Sequence, residues 1–230
     1  MSEFYVLSAY LPLALCIGFY LLGMVLRRRL NSGLINPLLV AILLCIAFLQ
    51  ISGMPYATFA EGAEPLSLLL TPATVCLALP LYRQWHFLRK YPGAILCAVT
   101  AGALTSMGTI LLLCRLLSLE HSMYVTLLPK SITTAIGMGV AEELGGIVTI
   151  TVAVIVVTGI LGNLLGDVFC KVFRLTHPVA KGLALGSSAH AIGTAKAMEL
   201  GELEGAISSL AIVLSGLITV GGASVFAQFA

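Results

Sequence analysis

The sequence predicts an all-α polytopic membrane protein, with about six full transmembrane helices plus two oppositely oriented re-entrant or broken-helix hairpins forming an inverted repeat. Three observations predict it. Of the 230 residues, 59% are hydrophobic and only 10% are charged, against roughly a quarter charged in a soluble domain. Apolar runs recur along the chain, each long enough for a helix of about 20 residues through a hydrocarbon core of about 30 Å. Finally, a polar, Gly-rich segment occurs twice, as KSITTAIGMGVAEELGG at Lys130–Gly146 and as GSSAHAIGTAKAMELGE at Gly186–Glu202. With Ser131 laid on Ser187, eight of the fifteen positions up to Gly145 and Gly201 are identical. Each copy leads into an apolar run with a small-Gly-aliphatic centre, Thr158-Gly159-Ile160 and Ser215-Gly216-Leu217. A repeated, Gly-interrupted polar segment beside membrane spans points to a binding site near the bilayer midplane.

The same composition excludes other classes. Transmembrane β-strands would read as alternating segments of about ten residues, and none is present. A formal charge of +2 is too small for a nucleic-acid partner. The six cysteines lie in or beside apolar runs with no CxxC pair and no histidine at ligand spacing, so they read as reduced packing residues. No metal and no cofactor is expected.

Taken in order, the first apolar run, Tyr5–Leu26, has no basic region before it and Arg27-Arg28-Arg29 after it. It reads as a permanent span ending in the cytoplasm. Asn36-Pro37 opens a second span to Ser52, with proline in a first turn where its missing N–H costs nothing. The linker Gly53–Pro65 carries Glu61 and Glu64 and no basic residue, and is placed outside. Span three, Leu66–Tyr82, contains Pro72 and Pro80 and is expected to kink or partly unwind. The basic loop Arg83–Lys90 returns the chain inside, and span four, Gly93–Leu117, takes it out again. The run Ile147–Phe169 ends at a third basic loop with Lys171, Arg174 and Lys181. Passing from Glu120 outside to Lys171 inside needs an odd number of crossings, so Thr126–Gly146 must enter and leave on one side. Legs of eight to ten residues reach about 12–15 Å, half the core. By the same parity Gly182–Glu204 enters from the cytoplasm, and the last span, Gly205–Phe226, runs outward. Nine of the twelve Lys and Arg residues then fall in three inner loops. Two functional regions are expected, a helical scaffold over 1–124 and an inverted-repeat core over 125–230.

Candidate site residues lie in the repeats, since irregular polar backbone survives at membrane depth only when buried in protein or lining a wet cavity. Ser131, Thr133, Thr134, Ser187, Ser188 and Thr194 supply hydroxyls. Lys130 follows Pro129 at the opening of a half-helix, where its charge adds to the positive end of the dipole and suits a carboxylate. Lys196 is a second candidate, with a structural pair to Glu199 or Glu143 as the alternative. His190 is a candidate for proton coupling, or a histidine satisfied by a backbone carbonyl. Glu143 and Glu199 hold equivalent repeat positions, as proton sites or as residues facing interfacial water. Asn163 and Asp167 share a helix face one turn apart, lining the cavity or reaching its end. No nucleophile elbow and no His-Glu metal pair accompanies them, and an enzyme is not expected.

LLPKSITTAIG at Leu127–Gly137 and GLALGSSAHAIGTAKAMELGELEGAISSLAIVLSG at Gly182–Gly216 resemble the signature segments of the LrgB/CidB family, and Asn36-Pro37-Leu38 and Pro80-Leu81-Tyr82 resemble its N-terminal half. The sequence departs from that pattern at Ala135 and Val148, where the family commonly carries proline. The resemblance implies a bacterial inner-membrane protein. Members are described as holin-system partners that modulate murein hydrolase activity and autolysis, beside a small LrgA/CidA-type membrane partner. Plastid relatives export glycolate and glycerate, and bacterial relatives are linked to pyruvate or lactate uptake. Together with the residues, this favours a secondary transporter of small monocarboxylates working by alternating access, with His190 the candidate for proton coupling. The alternatives are a holin/antiholin-like regulator or one subunit of a two-component carrier. The expected partners are a small carboxylate substrate, the bilayer, further copies of the chain as a homo-oligomer with a dimer foremost, and the LrgA/CidA-type protein.

Overall fold

The structure, a computed structural model, describes residues 2–30, 37–76, 78–83, 85–90 and 92–229. Among the described residues all regular structure is helical. Two compact units are present, Met1–Ala73 and Thr74–Ala230.

In the first unit α1 (Ser2–Leu30) packs on α2 (Pro37–Ser52) and α3 (Tyr56–Leu68). Pro37 takes the first position of α2, where its absent donor is harmless; Asn36 lies outside the described residues. The segment Gly53–Pro65, read as an outer linker, is helical from Tyr56 onward, its Ala and Glu residues being good helix formers that outweigh the turn signal of Pro65. Beyond it the third apolar run is helical over α4 (Leu70–Cys76) and α5 (Ala78–Arg83), residue 77 between them lying outside the described residues. Pro72 sits in the first turn of α4, where its missing N–H costs little.

The second unit continues with α6 (Trp85–Lys90), α7 (Pro92–Leu116), α8 (His121–Leu127), α9 (Thr134–Glu143), α10 (Val148–Val172), α11 (Pro178–Leu200) and α12 (Glu202–Phe226). Four helical stretches are long and apolar enough to cross a membrane, namely Tyr10–Leu30, Pro92–Leu116, Val148–Val172 and Glu202–Phe229. The apolar α2, of 16 residues, is shorter. The protein is a multi-pass membrane protein.

Both copies of the repeat fold back on themselves. α11 breaks at Ala189 and His190, where His190 has φ 42° and ψ −137°, and α8 and α9 are separated by the turn 128–133. A Cβ on Gly193 would stand 2.6 Å from the carbonyl oxygen of Leu185, eight residues back. In a continuous helix that separation is about 12 Å, so the two legs of α11 run side by side and in opposite directions. Gly137 approaches the carbonyl of Pro129 in the same way, at 3.5 Å, across the same eight residues. Thr126 and Gly146 meet at the open end of the first hairpin, where Thr126 Oγ1 accepts from the Ile147 N–H at 2.7 Å and Thr151 Oγ1 donates to the Thr126 carbonyl at 2.8 Å.

The 56-residue register extends into the long helices. Thr151, Ile155, Gly159, Ile160 and Asn163 are buried on α10, and Ile207, Ala211, Ser215, Gly216 and Thr219 are buried at the equivalent positions of α12. The buried stripe therefore sets Ser215 against Gly159, one residue away from the register in which the Thr-Gly-Ile and Ser-Gly-Leu triplets coincide. The hairpins also cross-pack. Gly159 on α10 receives Ile192 of the second hairpin, with a Cβ-to-Cδ1 separation of 2.7 Å, and Gly216 on α12 receives Ile136 of the first at 3.0 Å. Glycine at these crossings admits a side chain where any larger residue would clash.

Helix α7 joins the two halves. Its stripe Ile95, Val99, Ala103, Met107, Ile110 and Cys114 is buried. The first part of that stripe packs with Leu183, Ile207 and Leu210, and the second with Tyr124, Leu128 and Ile132.

Candidate functional site

A cavity of about 760 Å³ lies between α7, α10 and the two hairpin apices. Lys130 and Ser131 of the first apex, and Ser187 and Ser188 of the second, share its wall. The cavity extends along α10 past Phe169 to Phe173 and Leu175, beside the basic loop that the positive-inside rule assigns to the cytoplasm. Helix α7 places both apices at similar depth. Ser106 Oγ is 2.9 Å from Ser131 Oγ, and a Cβ on Gly102 would be 3.2 Å from Ser187 Oγ. These contacts are one turn apart on α7, about 6 Å.

Lys130 is the cation of this cavity. Its Nζ donates to Ser131 Oγ at 3.0 Å, and among the described residues no carboxylate stands within ion-pair distance of it. Ser131 is 7% exposed and Lys130 half-buried. A partly buried ammonium with one neutral partner carries an unmet desolvation cost, which a bound anion offsets. Thr133 caps the start of the next half-helix, α9, and its hydroxyl has no hydrogen-bond partner among the described residues.

The other sequence-derived candidates are held elsewhere. His190 is 3% exposed and turned onto α10, where Nε2 lies 2.9 Å from the Ile155 carbonyl. A carbonyl only accepts, so Nε2 carries the proton. Thr194 is a staple, bonded to Ser208 Oγ at 2.7 Å and to the His190 carbonyl at 3.0 Å. Lys196 pairs with Asp167 at 2.7 Å and with Glu199 at 3.5 Å, tying the return leg of the second hairpin to α10. Thr134 is half-buried in the first turn of α9, and Glu143 and Glu199 are exposed. None of these seven residues, nor Thr133, is among the cavity's lining residues.

Asn163 is also structural. It is 5% exposed and donates from Nδ2 to the Ile192 carbonyl at 3.1 Å, just after the break in α11. Asn163→Leu is expected to cost about 2 kcal/mol by leaving that buried carbonyl unmet, read as a lower melting temperature in detergent. The half-exposed Lys196–Asp167 pair is worth less. A double-mutant cycle of Lys196→Met and Asp167→Asn is expected to give a coupling of about 0.5–1 kcal/mol, and a value near zero would remove its role as a tie.

Sequence reasoning missed the α7 wall. Gly102, Thr105, Ser106 and Thr109 line the cavity, although α7 reads as a plain span. Their spacing of three and four residues puts small and hydroxyl side chains on one face of an otherwise apolar helix, which is the signal that identifies them.

The LrgB-like family matches residues 16–229. Similar proteins include "Antiholin-like protein LrgB" of Bacillus subtilis (strain 168), 37% identical over 223 residues, covering 96% of each chain. Proteins of the same description in Bacillus mycoides (strain KBAB4) and Bacillus cereus (strain B4264) are each 34% identical over 215 residues, covering 93% of this chain and 94% of theirs. No solved structure matches.

Proposed function

Because the chain belongs to the LrgB-like family, we propose that it acts as an antiholin-like membrane protein, as its relatives are named, and restrains cell-wall hydrolysis from the inner membrane. The observation that carries this reading is the match to the Bacillus subtilis relative, 37% identical over 96% of both chains. The test is a deletion strain: triggered autolysis and zymogram murein hydrolase activity should rise and return to the parent level on complementation. Unchanged lysis and zymograms would overturn it.

A second reading rests on the cavity, in which Lys130 and hydroxyls from both hairpin apices surround one space. This reading is a carrier for small monocarboxylates such as glycolate, glycerate, pyruvate or lactate. The ammonium of Lys130 and the hydroxyl of Ser131 would hold the carboxylate, with Ser187 and Ser188 facing its other end. His190, Thr194 and Lys196 then position the second hairpin, and any proton coupling through His190 requires it to leave its carbonyl. Purified protein in liposomes, alone and with a small LrgA/CidA-type partner, is expected to show saturable uptake of a labelled acid. Leak of unrelated solutes without saturation favours a pore, and no uptake of any acid under either condition defeats the carrier. Co-purification with the small partner would place the chain in a two-component assembly.

A further inference from the structure

The cavity opens beside the second hairpin, and the repeat assigns it a counterpart beside the first. In the 56-residue register, Ser188 and Ala189 of the cavity wall correspond to Ile132 and Thr133, and Gly166 corresponds to Gly222. On the open side Gly166, Ser188 and Ala189 line the cavity. On the other side Ile132 is 1% exposed, and Met107 fills the space over Gly222, where a Cβ would meet Met107 Cε at 2.7 Å. On the two elements that flank this side, Thr133 Oγ1 at the start of α9 and Ser215 Oγ on α12 are buried with no hydrogen-bond partner among the described residues. A permanently dry seam has no use for them, since each unmet hydroxyl costs about 1–3 kcal/mol. They are satisfied if water enters.

The outer end of this seam is fastened. Tyr124 at the start of the first hairpin donates its hydroxyl to the Phe226 carbonyl at 2.8 Å, and Arg115 at the end of α7 donates to the Phe229 carbonyl. The register places Ala180 at the position of Tyr124 on the open side, and alanine has no hydroxyl to donate such a bond.

We propose that the seam between the first hairpin, α12 and the outer half of α7 is a second mouth of the same cavity, closed here by Met107 and by the Tyr124–Phe226 bond. The inference rests on the carrier reading, since a binding site reached from either side in turn needs two mouths. Methionine suits the plug, being unbranched and able to repack with little cost. Arg115, the basic residue on the outer side of the membrane, serves in the fastening.

Sidedness of labelling tests it. Ser188→Cys and Thr133→Cys are placed singly in the full-length chain with its six native cysteines replaced, and an impermeant maleimide is applied to spheroplasts and to inside-out vesicles. Ser188→Cys should label from the basic-loop side. Thr133→Cys should label from the opposite side, and roughly fivefold faster when Tyr124→Phe is added, the factor expected for one lost hydrogen bond. Met107→Ala should accelerate it as well, through a different contact. If Thr133→Cys labels from the opposite side in none of the three backgrounds, or labels only from the side that reaches Ser188→Cys, the second mouth is overturned. Uptake measured on the same chains is a separate reading: labelling from both sides without uptake removes the carrier and leaves the two mouths.

Discussion

A Lys130→Met chain in liposomes is expected to take up labelled carboxylate roughly 30-fold more slowly than the parent, since a charge-assisted hydrogen bond to a carboxylate contributes about 2 kcal/mol. Methionine keeps the length and apolar stem of lysine and removes only the ammonium. The expected effect on stability has the opposite sign. Lys130 has a neutral serine as its partner and no carboxylate, so removing its charge should leave the melting temperature unchanged or raise it. A lysine holding the fold together would show the reverse pattern, with lost stability and transport falling only in proportion to folded protein. Equal uptake by parent and variant would end the anion-site assignment.

Gly193→Val is expected to damage the fold severely. Its Cβ would stand 2.6 Å from both the Leu185 carbonyl oxygen and Ala189 Cβ, so the legs of the second hairpin must part. Overpacking of this kind costs about 3 kcal/mol or more, and neither neighbouring atom is the end of a flexible side chain. Gly137→Val meets Ile155 Cδ1 instead, a terminal methyl that can rotate away, and should cost less. The measurement is thermal unfolding of the two variants in the same detergent. Equal losses would mean that the close crossing of the legs does not set the cost.

The hairpins were legible because two independent signals agree on them, the repeated residues and the parity of the basic loops. The partners of individual polar residues were legible only in part. The sequence offers a backbone carbonyl for His190 and Glu199 for Lys196, both present, but it does not single out which carbonyl or the closer carboxylate. His190 found the Ile155 carbonyl and Lys196 found Asp167 on a helix about thirty residues earlier. Lys130 has no acidic residue near it in sequence, and among the described residues none stands within ion-pair distance of it. The α7 wall escaped notice since its hydroxyls are diluted among leucines, and the cavity they line is composed by four separate parts of the chain. The helix Tyr56–Leu68 was concealed by its proline and two glutamates, which mark turns as readily as they sit on exposed helices.

The exchange of Ile136 onto Gly216 and of Ile192 onto Gly159 has a consequence for how the protein is made. The first hairpin emerges from the ribosome well before α12, the helix that receives its apex. Until then, its irregular turn is covered only on the side that meets α7, and on the side that α12 will cover lipid cannot satisfy its peptide groups. Insertion therefore cannot proceed as a series of independently stable spans. The first hairpin must wait at the membrane interface or in the insertion machinery, and it enters its final place only when the last helix has been synthesised.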